Sequence, residues 1–445
     1  MCFRFCAACS VRLAYSAGTS KKSRLSMKKA ARKKIFYGWR IAAAAAAMQF
    51  MQNGLVYYSF GAYLAVLRDT FGWSKTALAG AASMQQVEGA LLGPIQGWII
   101  DRFGPRGMMR VGLCLLAGGL MFLSTIDTLI GFYGAFFFIA LGMSLSGFFP
   151  MSVTIINWFE KKRARALSLM HLGLAAAGIA VPAVAWCMQT FGWRPTAFAS
   201  GLIVIAAGFP IASVVRHKPE DLGETVDGVP PSANASANKA DASPRRDFTT
   251  REAIRTPAFW LIASGHGLAL CTVSAVNVHA IVHMKESLGY SVSSGAFVMS
   301  MLLVFYAAGT VLGGALGDRW DKRLVCAFCM LLHLAGVLLL AFASSPAFLV
   351  AFTLCHGVAW GWRGPIMNAI RADYFGRRAI GMIIGLSAII TVIGSASGPI
   401  IAGLFADALG DYRAGFTAIG LLSGLGSMFF LFARRPDPPA RVGAH

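Results

Sequence analysis

Charge is what this sequence has least of. Of its 445 residues only 13% are charged, 56% are hydrophobic, and 19 acidic residues face 40 basic ones. The mean hydropathy is +0.62. So little polar surface excludes an ordinary water-soluble globule. Long polar stretches are as scarce. One alone interrupts the chain, 216–255, and its centre, GVPPSANASANKADASPRRD, is too poor in apolar residues to fold, which predicts a linker. The N-terminus lacks the apolar core of a signal peptide. Cys6 and Cys9 have no second pair to complete a zinc site, and Cys114, Cys187, Cys271, Cys326, Cys329 and Cys355 fall singly in apolar runs, so no metal site or disulfide framework is implied. Nucleophile elbow, phosphate loop, zinc-binding helix and paired carboxylates are missing too, which excludes an enzyme or a cofactor by any of those signatures.

What is present is a series of apolar runs long enough to cross a bilayer. They fall at 39–66, 77–100, 108–126, 130–157, 166–189 and 196–215, then at 257–283, 295–317, 324–343, 347–370, 381–405 and 414–433. The pattern predicts an all-α membrane protein of twelve transmembrane helices. Its parts are a basic tail (1–38), a six-helix half (39–215), a linker (216–255), a second six-helix half (256–433) and a short tail (434–445). Met27, opening MKKAARKKIFYGW, reads as the natural start, with 1–26, including Cys2, as an upstream extension. The net charge of +21 is a topology signal. With both termini and the linker inside, 34 of the 40 Lys and Arg lie on the cytoplasmic side, 5 lie outside, and Arg363 lies in a span. That placement argues against a nucleic-acid partner.

The halves repeat. GWIIDRFGPR (97–106) follows the second span and GALGDRWDKR (314–323) the eighth, with Asp101 and Asp318 offset by 217 residues. WFEKKR (158–163) and YFGRR (374–378), after the fourth and tenth spans, are offset by 216, and FGWRPTAF (191–198) pairs more loosely with GDYRAGF (410–416). A duplicated six-helix unit joined by a linker is the layout of a parallel-repeat secondary transporter.

The first loop, Gly97-x-x-x-Asp101-Arg102-x-Gly104-x-Arg106, resembles the signature of the major facilitator superfamily, and the second copy resembles it apart from Asp321 in place of the second glycine. The resemblance implies a cytoplasmic gate built from Gly97, Asp101, Arg102, Gly104, Arg106, Asp318, Arg319 and Arg323, and transport by alternating access. YGWRIAAAAAAMQFMQNGLVYYSFGAYLAVL, FGWSKTALAG, NWFEKKRARALSLMHLG and GPIIAGLFADALGDYRAGF are similar to the monocarboxylate transporter and oxalate:formate antiporter branch, over nearly all of the chain from Tyr37 to Phe432. That implies a small mono- or dicarboxylate substrate, moved with protons, in a monomer. The branch's charged anchors are absent. Where it has an Asp and an Arg in the eighth span this chain has Tyr306 and Thr310, and the eleventh span has no lysine.

In the interior of the spans only Glu88 and Arg363 are charged. Ionisable groups at that depth face cavities or partners rather than lipid. Arg363 lies in VAWGWRGPIM (358–367) and has two readings. It replaces the missing anchors and binds an anion, or it pairs with carbonyls or Asp373 near the inner gate. Gly361, Gly364 and Pro365 are expected to loosen the helix around it. In the superfamily the first, fourth, seventh and tenth spans line the cavity. Gln49, Gln52, Asn53 and Tyr57, with His266, Asn277 and His356, are therefore further substrate-site candidates, beside Tyr306 and Thr310. Glu88 and His171 are candidates for carrying a proton. Trp360 and Trp362 alternate, so at most one of them faces Arg363. His279 and His283 share a helix face but lack a third ligand. A drug exporter of the same superfamily and a non-transporting sensor are the alternatives. Composition favours a bacterial inner membrane.

Overall fold

Lipid offers no hydrogen bonds, so a chain that crosses it closes its backbone bonds within helices. The computed structural model describes residues 36–73, 88–89, 92–229 and 247–439. Phe36 and Tyr37 apart, these belong to one compact unit, Gly38–His445. The readings of Cys2, Cys6, Cys9 and Met27 fall outside the described residues. The first helix runs Tyr37–Gln52, passes through a π-helical turn at Asn53–Tyr57 and resumes at Phe60–Phe71. The second is described at 88–89 and 92–103. The third to sixth are Pro105–Leu123, Leu129–Trp158, Arg163–Phe191 and Trp193–Val214. Pro257–Glu286, Val292–Leu316, Lys322–Ala341, Pro346–Phe375, Ile380–Leu409 and Arg413–Phe432 are the seventh to twelfth.

The two-half, all-helical architecture stands, and several helices outrun their apolar segments. The tenth continues five residues past its expected end, carrying Arg371 and Asp373. Side chains that begin helices explain the boundaries. Thr128, Thr256 and Ser291 each accept a first-turn amide of the helix that follows. Pro105, Pro257 and Pro346 stand where a missing N–H costs nothing.

The tenth helix is continuous through Gly361, Gly364 and Pro365, against the expectation of a loosened segment. Its glycines serve contact instead. A Cβ on Gly361 would stand 2.8 Å from the Thr310 nitrogen, and one on Gly357 2.7 Å from the Leu302 carbonyl oxygen. The eighth and tenth helices thus touch backbone to backbone, as small residues permit in lipid.

The two halves meet the same way. On the face that carries the Asp-Arg loops, here the basic face, Gly93 and Gly97 of the second helix cross Gly381 and Gly385 of the eleventh. A Cβ on Gly97 would come within 2.7 Å of the Met382 nitrogen, and one on Gly93 within 2.9 Å of the Gly385 oxygen. The fifth helix packs on the eighth and tenth. The linker departs from the expected featureless coil. Its described ends, 216–229 and 247–256, hold turns at Pro219–Leu222 and Val226–Gly228 and a short helix, Thr250–Ile254, with Phe248 buried against Phe375.

Gly97→Val would press a side chain into backbone atoms that cannot move aside, an overpacking cost of about 1–3 kcal/mol. We expect a lower melting temperature and faster thiol labelling of an Asn157→Cys reporter from the basic face. A variant as stable and as slowly labelled as wild type contradicts the seam.

Candidate functional site

The first four amides of a helix have no partner within it and carry partial positive charge. At the basic face two carboxylates use this, and two more bind the amides of the loops that lead into the same helices. Asp101, after the second helix's apolar run, accepts the Gly381 and Met382 amides at the start of the eleventh helix, both at 3.0 Å. Its repeat partner Asp318 accepts Ala164 and Arg165 of the fifth helix at 2.7 and 3.2 Å. Each carboxylate thereby grips the opposite half. The linker supplies the other two. Asp227 accepts the amides of Glu160, Lys161 and Lys162 at 3.2, 2.7 and 3.4 Å, and Asp247 those of Arg377 and Arg378 at 2.9 and 3.1 Å. Asp227 is the one non-glycine residue with positive φ, +60°, among the described residues. Such backbone is tolerated best by Asp and Asn.

Ion pairs complete the closure. Arg163 of the first half contacts Asp373 of the second, which also binds Lys322 at 2.8 Å. Arg377 donates to the Asn157 carbonyl at 2.6 Å and stands 3.9 Å from Glu220. Of the expected gate arginines, Arg102 lies over the Trp98 and Phe103 rings, and Arg323 binds Asp321 and the Leu431 carbonyl within its own half. Arg106 sits in the first turn of the third helix, behind Gly104 at φ +79°. Arg319 closes its loop through its amide to the Leu316 carbonyl. Arg163 and Arg377, with Arg165 at 4.0 Å from Asp318, are seam arginines that motif spacing did not point to.

Beyond the gate, toward the opposite face, lies a cavity of about 720 Å³. Gln49, Asn53 and Tyr57 of the first helix, Asn277 of the seventh and Trp360 of the tenth are in its wall. A neighbouring space of about 320 Å³ shares Gln49, Asn53 and Tyr57 and adds Gln52. Gln52 donates to Ser146 at 2.7 Å, and Asn53 donates to the Gln49 side chain at 3.1 Å. The Gln49 Nε2 is buried without a hydrogen-bond partner among the described residues. Trp360 packs on Tyr306, while Trp362 turns away to Trp320 and Phe328, so alternation separates them as expected.

One helical turn deeper, toward the basic face, sits a layer of ionisable groups beneath the cavity's lining. His171 lies under Leu174, Tyr306 under Leu303, Arg363 under Trp360 and His266 under Leu270. Arg363 is 1% exposed, and its Nε and Nη1 have no partner among the described residues. Asp373 is taken by Arg163 and Lys322, so the expected alternative pairing with Arg363 is not seen. His171 and Tyr306 share a 3.1 Å hydrogen bond across the two halves. His266 pairs at 3.0 Å with Arg371, a second buried arginine that lay beyond the expected span. His356 bonds His333 inside the second half at 3.1 Å, and Thr310 donates to the Tyr306 carbonyl. His279 and His283 turn to different carbonyls. Glu88 is 8% exposed with both oxygens unpartnered among the described residues, beside Gly89 in the smaller cavity's wall.

Two stretches, 42–278 and 262–445, match the model of the Major Facilitator Superfamily. This chain belongs to the Major Facilitator Superfamily. It is 25% identical over 425 residues to monocarboxylate transporter 13 of Bos taurus, covering 91% of this chain and 92% of that one. It is also 25% identical over 225 residues to the oxalate:formate antiporter of Oxalobacter formigenes, covering half of each. The fucose:proton symporter of E. coli shares the fold, with a TM-score of 0.65 at 16% identity over 90% of this chain and 100% of that one. The superfamily member described here is a secondary transporter rather than an enzyme, and the gate and cavity are two parts of alternating access.

Two of the gate carboxylates, Asp101 and Asp318, are shifted by their surroundings. Burial pushes Asp101 up to about 6, against the Met382 and Gly381 amides and Lys218, and burial raises Asp318 too. In an opened, hydrated gate each returns to the ordinary range near 3.8. The closed state therefore binds protons more tightly and gains stability as pH falls from above 6 towards 4. We expect the Asn157→Cys reporter to label more slowly at pH 5.5 than at 7.5, normalised to a free thiol. Asp101→Asn with Asp318→Asn should flatten that dependence, and an opposite slope refutes the assignment.

Proposed function

We propose that this protein carries a small organic anion, a mono- or dicarboxylate, together with protons, across a bacterial inner membrane, with both termini in the cytoplasm. The observation that carries the anion is Arg363. A guanidinium at mid-membrane costs about 3 kcal/mol or more. Among the described residues two of its donor atoms are buried with nothing to bind, one turn beneath a cavity whose wall presents a third unfilled donor, Gln49 Nε2. A carboxylate is the chemistry that answers such a set, taking paired N–H donors from a guanidinium and leaving its other lone pairs for an amide. The names of the bovine and Oxalobacter relatives agree with an anion. Orientation rests on the basic loops, and the bacterial assignment on composition and short loops.

Arg363 beneath the cavity floor also gives the anchor a place in the cycle. As the gate opens and the opposite face closes, the layer holding Arg363 becomes the part of the site nearest the cytoplasm. An anion held there is passed through the seam rather than across it.

Thermal stabilisation of the purified chain tests this, because a ligand that binds the folded state raises its apparent stability. Formate, acetate, pyruvate, lactate, oxalate and succinate are compared, with tetraethylammonium and glucose as controls. We expect at least one carboxylate to stabilise wild type. Arg363→Met should melt no lower than wild type, since it removes an unpaired buried charge. It should bind that carboxylate about 10–100-fold more weakly, from the roughly 1.5–3 kcal/mol of hydrogen bonds to a charged group. Equal stabilisation of both proteins removes Arg363 from the site, and a response to the controls alone removes the anion.

A further inference from the structure

Among the described residues, nearly all the hydrogen bonds that join the two halves lie in the basic-face gate. They run from the amides of Gly381, Met382, Ala164 and Arg165, and from the side chains of Arg163 and Arg377. One lies deeper, in the layer beneath the cavity, between His171 Nδ1 and the Tyr306 hydroxyl. It joins the fifth helix of one half to the eighth of the other, so the rocking of the halves must remake it in every cycle.

The surroundings of this bond are specific. His171 is 6% exposed and Tyr306 2%. From the fourth helix the edge of Phe148 meets the imidazole at 5.3 Å. From the tenth, Gly364 lies against the ring, a Cβ there standing 3.0 Å from its Cε1. The charged and titratable groups within electrostatic reach of His171 are Arg363 of the tenth helix and His266 of the seventh, beside Tyr306 of the eighth. The second ring nitrogen, Nε2, is buried and has no partner among the described residues.

We infer that His171, held by Tyr306 across the seam, carries the proton that accompanies the anion. The inference rests on the reading of Arg363 as the anion anchor. Imidazole is the side chain that takes and releases a proton in the physiological range. With Nδ1–H donating to the Tyr306 oxygen, the lone pair of Nε2 is the free base. One proton from the outer water forms the Nε2–H bond, and the imidazolium then donates at both nitrogens. Beside Arg363 a second cation in a dry site is repelled, and a bound carboxylate cancels that repulsion. Anion and proton therefore enter together. The loaded site carries the same net charge as the empty one, and both leave when the seam opens and the bond to Tyr306 breaks. Glu88, next to Gly89 in the smaller cavity's wall, has no hydrogen-bonded link across the halves among the described residues.

The test is the ratio of protons to anion moved, which does not depend on rate. The full chain in liposomes takes up radiolabelled pyruvate, or oxalate as the dicarboxylate probe, while a trapped dye reports internal pH. For wild type we expect one proton per pyruvate and no response to membrane potential. His171→Gln should bring the ratio to zero while pyruvate still enters down its gradient, and Glu88→Gln should leave it at one. Tyr306→Phe should keep the ratio and move the midpoint of the pH dependence of uptake. His171→Asn serves if the glutamine variant does not assemble. A ratio of one in a His171 variant overturns the inference, as does a ratio of zero in Glu88→Gln, and an unmoved midpoint in Tyr306→Phe overturns the pairing. Wild type that moves pyruvate or oxalate without protons defeats the proton alone. Failure of both probes to enter, with no carboxylate stabilising the protein, defeats the anion reading and this one with it.

Discussion

A carboxylate resting on the free amides of a helix start is the interaction on which the closed face depends. It suits a gate better than an ion pair between long side chains. The amides are fixed in place by the helix, so little side-chain entropy is lost in meeting them. When the seam parts, both partners pass to water that solvates them well. The duplication doubles the device. The loop after the fourth helix receives Asp227 and the helix behind it receives Asp318, and the loop after the tenth receives Asp247 with Asp101 on the helix behind. In each pair one carboxylate comes from the adjoining end of the linker and shapes the loop, and the other comes from the opposite half and holds it.

Inside the membrane the chain gathers four of its ionisable or hydroxyl-bearing groups in one layer. Arg363, His171, His266 and Tyr306 come from four helices and both halves, yet stand within one turn of each other in depth. A fold built for stability alone would not leave a guanidinium there with open donors. The glycine contact between the eighth and tenth helices fixes Tyr306 and Arg363 on adjoining backbones, so layer and gate shift together with the second half.

Much of this was legible in the sequence, because bilayer thickness and gene duplication leave regular marks. Span count and halves followed from run lengths and a constant offset, and the gate role of the two repeated aspartates from the resemblance to the superfamily's signature. The partners of those aspartates did not, since a backbone amide has no letter in a sequence. Asp227 and Asp247 were hidden for a related reason: in a polar linker, an aspartate that binds amides looks like one that binds water. Arg371 lay past the end of an apolar run, where an arginine ordinarily reports the membrane surface. Within a helix buried on every side, periodicity loses its contrast. Hence Gln49, Asn53, Tyr57 and Asn277 were found with the cavity, while His356, equally polar, faces His333 inside its own half.

The glycine crossing of the second and eleventh helices has a mechanical consequence. Side chains that interdigitate act as teeth, and two toothed surfaces must find the same register each time they meet. Gly93, Gly97, Gly381 and Gly385 leave a smooth bearing at the point of closest approach. The halves can separate there without unmeshing anything and return without searching for alignment. Position on closing is set at the rim instead, where each aspartate drops onto its two amides like a detent.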